Sequence, residues 1–385
     1  SAEGYITNFI DALFTATSAT CVTGLIVVDT GTYYSLFGQI VILLLIQIGG
    51  LGIMTISTAF ALMLGQRISL NVQNVMHQVV GETPVIDVFK LLRGTVLVTM
   101  LIELIGAMFL FFGFAKMMPV AKAIYYSIFH SVSAFCNAGF SLWSDNLASF
   151  VESPLVNGSI TFLIILGGLG FAVLIDIYHF FFHHQQVRKL ALHSKIVLTT
   201  TAILIVSGFI GLYIGEYYSS MKGFTVSKRV FGSWFQSVTA RTAGFNTIDI
   251  SLYSSASVLL TVILMFIGAS PGSTGGGIKT TTFSVLVLSV LSMLSGKNDL
   301  SIFKRKIPQS NAREATTLAT LALAIILTII FVMMLIEPFP FEKILFEAFS
   351  AFGTVGLSMG ITSQLSYAGK LLITLLMYIG RIGPL

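Results

Sequence analysis

Charge is scarce in this sequence. Only 10% of its 385 residues are Asp, Glu, Lys or Arg, against about 25% in an average soluble domain, so it cannot clothe a water-soluble particle of this size. Soluble enzymes, fibres and disordered chains are thereby excluded. Cysteine is nearly absent: Cys21 and Cys136 provide neither a disulfide framework nor a zinc site, and packing as buried thiols is favoured over a bond between them. The six histidines form no cluster with cysteines or carboxylates, which argues against an intramembrane enzyme. Phosphate loops of the GxxxxGK[ST] and GxGxxG types are missing, so any nucleotide belongs to a partner. The net charge of +5 comes without a dense basic tract, which leaves nucleic acid out. No cleavable signal is visible after Ser1.

What the chain does have is apolar length. Hydrophobic residues make up 55% and the mean hydropathy is +0.92. Long apolar segments run over 37–64, 91–114, 160–182, 196–214, 258–269, 278–294, 317–336 and from 371 to the end, most near the roughly 20 residues that span hydrocarbon. Shorter stretches at 6–17, 123–135, 230–238 and 344–352 suit re-entrant half-helices. One set of loops, from Arg67 to Arg313, carries eleven basic residues and the alternating set seven, which places the first set in the cytoplasm. Acidic residues favour the other side, ten against five, and such an acidic mouth would concentrate cations.

One short string occurs four times: SATCVTGL from Ser18, SAFCNAGF from Ser133, VTARTAGF from Val238 and SAFGTVGL from Ser350. Each follows a half-helix candidate. The strings align Gly24, Gly139, Gly244 and Gly356, and a second landmark, Gly49, Gly167, Gly268 and Gly380, follows 25, 28, 24 and 24 residues later. Two landmarks in register predict four repeats, bounded at 1–65, 66–190, 191–297 and 298–385, each reading outer helix, half-helix, glycine-bearing loop, inner helix. The parts keep one order, so the units run parallel, unlike the inverted repeats of alternating-access carriers.

Irregular backbone at membrane depth survives only where it lines a water-filled or ion-filled cavity. Four half-helices converging on their C-terminal ends favour a cation on the axis. Glycine lets successive carbonyls turn the same way, as in rings of carbonyls that replace a potassium ion's hydration shell.

These four strings, together with GASPGSTGGGIKTTTF from Gly268, resemble the Trk/Ktr/HKT superfamily of potassium transporters, and most of all its bacterial KtrB membrane subunits. The resemblance covers nearly the whole chain. It implies an all-α membrane protein of four fused helix–pore helix–helix repeats around a pseudo-fourfold, K⁺-channel-like pore in the plasma membrane, its pore loops entering from outside. It also implies a homodimer surrounded by lipid, and a cytosolic nucleotide-binding regulatory ring of the KtrA kind. K⁺ is then the cargo, moved passively or with Na⁺, and no cofactor is expected on this chain. Against the family pattern, the first outer helix is missing and the last inner helix is short, so both ends look cropped.

By the same resemblance the filter is lined by Thr20, Cys21, Val22, Thr23 and Gly24; by Cys136, Asn137, Ala138 and Gly139; by Arg241, Thr242, Ala243 and Gly244; and by Gly353, Thr354, Val355 and Gly356. In plant relatives a serine at the position of Gly24 accompanies sodium permeation, so glycine there points to potassium. Ser270, Pro271, Gly272, Ser273, Thr274, Gly275, Gly276 and Gly277 must interrupt the third inner helix, expected to reach Ala269, and correspond to an intramembrane gating loop. Arg381 replaces Gly50, Gly168 and Ala269 of the other units and stands as the positive barrier that holds this loop shut, or as an arginine snorkelling from a helix end. Lys279 either charges the lower vestibule or begins the next helix in solvent. Arg241 either ties its loop to an acidic partner or snorkels outward. Glu103 in an outer helix is a functional candidate or a structural hydrogen bonder. His183, His184 and His193 fit a surface toward the regulatory ring, and Gly31, Tyr33 and Tyr34 an outer interface.

Overall fold

The structure, a computed structural model, describes residues 1, 2, 4, 6–52, 88–182, 189–296, 300–303 and 305–382. Arg67, Glu82, Asp87, His183, His184, Arg188, Lys297, Asp299 and Lys304 from the loop and linker readings lie outside them. The described helices are α1 (Phe9–Thr20), α2 (Thr30–Tyr33), α3 (Leu36–Leu51), α4 (Val88–Phe114), α5 (Val120–Phe135), α6 (Pro154–Leu169), α7 (Phe171–Phe182), α8 (Leu192–Gly215), α9 (Val226–Thr239), α10 (Ser255–Phe266), α11 (Thr280–Leu294), α12 (Gln309–Ile336), α13 (Phe341–Phe352) and α14 (Tyr367–Ile382).

Local chemistry sets where these helices start. Asn8, Ser35, Ser153, Thr225 and Ser254 cap α1, α3, α6, α9 and α10 by accepting a first-turn N–H on the side chain, which satisfies a donor that the helix leaves free. Pro119, Pro308 and Pro340 precede α5, α12 and α13, where a missing N–H costs nothing. By length and composition Gly94–Phe114, α8 and α12 can each cross a membrane. Their outer faces are strongly apolar, with Leu104, Ile203 and Leu335 among the exposed side chains.

The short helices α1, α5, α9 and α13 are the buried ones. Phe14, Phe129, Phe235 and Phe346 on them are fully covered, as are Leu25, Phe140, Phe245 and Leu357, each directly after a repeat glycine. Two of the three hydrophobic clusters among the described residues gather around them. One centres on α5, α6 and the segment after α5; the other centres on α10, α12, α13 and α14.

Three expectations are corrected. First, the fold is not wholly helical, because Leu300–Ile302 and Arg305–Ile307 pair as an antiparallel hairpin, β1 and β2. Second, the third inner helix ends at Phe266, short of Ala269, because Ile267 pairs with Ile278 as two parallel extended residues. Third, interruption is not confined to that helix. α3 stops at Gly52, at φ +88°, and α6 stops at Gly170, at φ +91°, after which α7 departs at 101°. A residue with a Cβ resists such a φ, so each GGLG string ends a helix that hydropathy alone continues.

Candidate functional site

Each of the four strings turns sharply where its helix ends, and the turns share one backbone pattern. Val22, Asn137, Thr242 and Thr354 have φ of +57°, +60°, +68° and +47°, uncommon for residues with a Cβ and costly for the β-branched ones. Two residues on, Gly24, Gly139, Gly244 and Gly356 have φ of +91°, +70°, +76° and +89°. The intervening amides of Thr23, Ala138 and Val355 donate back to Ser18, Ser133 and Ser350, and that of Ala243 donates to Thr239. With the N–H groups directed toward the helix, the carbonyls face the neighbouring segments.

The glycines bring the segments together. A Cβ on Gly24 would overlap Ala138 O and lie 3.2 Å from Gly139 Cα. On Gly139 it would lie 2.7 Å from Gly244 Cα, on Gly244 3.3 Å from Gly356 Cα, and on Gly356 3.0 Å from Gly24 Cα. The four contacts close a ring. Above it opens a vestibule of about 510 Å³ whose floor is Gly24, Gly139, Gly244 and Gly356. Asp29, Asp145 and Asp249 line it, one from each of the first three strings' following segments. Each also receives a nearby backbone N–H, from Thr32, Ser149 and Ser251 respectively.

The residues behind the ring include several that sequence reasoning missed. The Ser18 hydroxyl donates to Leu25 O at 2.7 Å, Ser133 to Phe140 O at 2.8 Å and Thr239 to Phe245 O at 2.6 Å, while Ser350 accepts from Gly356 N at 3.1 Å. These hydroxyls brace the turn from inside. The signal was present as a Ser or Thr in the first or second place of every string. The second-landmark glycines have an equally local reason. A Cβ on Gly49, Gly167 or Gly380 would overlap the carbonyl of Thr20, Phe135 or Phe352, the last residue of the preceding short helix.

Ser270–Gly277 packs against the turns that precede two of the ring glycines. A Cβ on Gly275 would overlap Thr242 Oγ1, and one on Gly276 would sit 2.5 Å from Thr354 Oγ1. Gly276 N donates to that same hydroxyl at 3.0 Å. The segment is tied to the other units: Ser270 N to Gly168 O and Thr274 N to Gly167 O, at 3.1 and 3.2 Å, and Gly277 N to Gly380 O at 3.2 Å. Arg381 donates one guanidinium arm to Thr274 O and the other to Gly49 O. It therefore points inward and is not snorkelling.

Other expectations resolve as follows. Lys279 is no solvated helix start: it is 7% exposed and donates Nζ to Gly275 O at 2.9 Å. Arg241 does not snorkel and pairs with no acid among the described residues, being 7% exposed and donating to Gly268 O at 3.3 Å. Cys21 and Cys136 are free and buried. Glu103 accepts from Gln47 Nε2 at 3.3 Å and from Cys136 Sγ at 3.8 Å, the structural alternative. At Gly31 a Cβ would overlap Leu142 O, a close approach of α2 to the segment after α5.

The chain matches the TrkH family, described as a cation transport protein, over residues 3–385. It is 43% identical over 380 residues to Ktr system potassium uptake protein B of Bacillus subtilis, covering 98% of this chain and 84% of that protein. It is 42% identical to the potassium/sodium uptake protein NtpJ of Enterococcus hirae, covering 100% and 85%. In structure it resembles the potassium transporter TrkH of Vibrio parahaemolyticus, with a TM-score of 0.75 at 17% identity, over 98% of this chain and 77% of that one; at that identity the likeness shows the fold. These are membrane transporters and not enzymes. The chain belongs to the TrkH family of cation transport proteins.

Proposed function

We propose that this chain is the ion-conducting subunit of a potassium uptake system, and that K⁺ crosses one filter built from the four Gly-bearing segments. The observation that carries this reading is the closed contact ring of Gly24, Gly139, Gly244 and Gly356, each preceded by the same left-handed turn. In this reading α1, α5, α9 and α13 are pore helices of four pseudo-symmetric units with the boundaries given above. The lining is Thr20–Gly24, Cys136–Gly139, Arg241–Gly244 and Gly353–Gly356, contributing chiefly carbonyl oxygen. Potassium sheds water at the floor of the vestibule and takes carbonyl oxygens in its place. Asp29, Asp145 and Asp249 raise the local cation concentration above it.

Ser270–Gly277 is the gate. Its contacts with Thr242 and Thr354 support a position in the path, and the hydrogen bonds from Arg381 and Lys279 support its being held there. Arg381 also presents a fixed positive charge below the filter. Opening requires these hydrogen bonds to break, which we assign to a cytosolic nucleotide-binding partner. Assembly as a homodimer in the plasma membrane, with pore loops entering from outside, rests on the family resemblance. So does movement of K⁺ either passively or with Na⁺; the name of the NtpJ relative, potassium/sodium uptake protein, keeps the sodium-coupled mode in view.

Flux into proteoliposomes tests the reading. The wild-type chain should accumulate Rb⁺ or K⁺ well ahead of Na⁺, and Gly24→Ser should narrow that preference about tenfold, the equivalent of 1.4 kcal/mol. An unchanged preference in a folded Gly24→Ser protein would remove Gly24 from the filter.

A further inference from the structure

Arg241 is a buried cation with an incomplete set of partners. One terminal nitrogen reaches Gly268 O, but its Nε finds no acceptor among the described residues. The ion pair that described residues do make, Lys370 to Asp11 at 2.7 Å, lies elsewhere. A charge enclosed in apolar surroundings is expensive unless paired. The end of α9, two residues back, supplies only a partial negative charge.

A second orphan faces the same space. Thr201 on α8 is 8% exposed and its hydroxyl is unpartnered. Thr199, Thr316, Thr328 and Thr374 all turn their hydroxyls back to the carbonyl four residues earlier, the usual refuge of a helical threonine. Thr201 does not. Arg241 and Thr201 line one small, partly open pocket of about 20 Å³, with Gly168 and Ala269 beside them and Ile164, Ile165, Ile205 and Val238 as apolar walls. That volume takes roughly one sphere of water size, so sulfate, phosphate and carboxylates are too large.

We propose that this cavity is a binding site for a single halide ion, chloride by abundance, held between Arg241 Nε and the Thr201 hydroxyl. Both side-chain groups can donate, and the guanidinium supplies the charge to be balanced. A water molecule would satisfy both but would turn its own protons toward isoleucine and valine. The carbonyls nearby are engaged: Gly168 O receives Ser270 N, and Val238 O receives Arg241 N. An anion needs no acceptor. The site lies behind the third string, so it stabilises that turn and the start of the 270–277 segment together. The inference concerns binding alone and stands or falls separately from ion conduction.

Bromide is the probe. Crystals of the full chain grown in sodium bromide should show an anomalous peak within hydrogen-bond reach of Arg241 Nε and Thr201 Oγ1. In detergent at fixed potassium, exchanging chloride for gluconate, which the cavity cannot hold, should lower the melting temperature. Thr201→Val, which keeps the volume and removes the donor, should abolish most of that difference even if Arg241→Gln fails to fold. No bromide peak, the cavity then holding water alone, or equal melting of the wild type in chloride and gluconate would overturn the proposal.

Discussion

The guanidinium of Arg381 on α14 donates to the carbonyl oxygen of Thr274, 107 residues away in sequence. Its second arm reaches Gly49 O, so one side chain joins α14, the 270–277 segment and α3. Net hydrogen bonds from charged donors contribute about 1.5–3 kcal/mol each. Arg381→Ala should therefore favour the displaced loop by about tenfold or more, read as a rise in Rb⁺ uptake per molecule in proteoliposomes. Lower or unchanged uptake by a folded variant would mean that Arg381 does not hold the segment in place.

Glycines on the inner helices separate into two kinds. A Cβ on Gly380 would overlap Phe352 O, whereas one on Gly158 meets nothing within 4 Å. Gly380→Ala should destabilise by roughly 1–3 kcal/mol, as overpacking typically does. Gly158→Ala should be neutral or stabilise by up to about 1 kcal/mol, since alanine is the better helix former. Thermal melting in detergent distinguishes the two; equal melting temperatures would contradict the close approach at Gly380.

Asp29, Asp145 and Asp249 line the vestibule without an equivalent acid from the fourth segment, which offers Ser358 and Thr362 instead. The triple Asn variant should raise the KM for uptake several-fold at low salt. The effect should fade as ionic strength rises from about 0.01 M to about 0.5 M, where screening shortens to a few ångströms. A salt-independent effect would indicate structural damage and not electrostatic attraction.

Glu103 is expected to matter for packing. Its carboxyl group accepts from Gln47 and from Cys136, and Glu103→Ala would remove the acceptor of the half-buried Gln47 amide, at a cost of about 1 kcal/mol. Glu103→Gln keeps hydrogen-bonding capacity and should recover most of the loss. Denaturation of the two variants side by side checks this, and a Gln variant as unstable as the Ala variant would refute it.

Much of the site could be read in advance because its requirement is steric. Positive φ at Gly24, Gly139, Gly244 and Gly356 demands glycine, so the same letter recurs four times. The equally left-handed Val22, Asn137, Thr242 and Thr354 are different residues, because tertiary contacts impose the angle there and no residue preference marks it. Gly52 and Gly170 were hidden inside apolar runs whose hydropathy continues past the helix end. The inward course of Arg241 and Lys279 depends on carbonyls distant in sequence, at Gly268, or exposed by a local turn, at Gly275. Charge alone gave no direction. The hairpin at 300–307 is too short for a periodic signal.

The most direct test of the central claim is the position of a heavy potassium analogue. Crystals of the protein grown with Tl⁺ or Rb⁺ should show anomalous density on the line where Gly24, Gly139, Gly244 and Gly356 meet, surrounded by the carbonyl oxygens of Thr23, Ala138, Ala243 and Val355. Density confined to the aspartates of the vestibule, with none between those carbonyls, would contradict it.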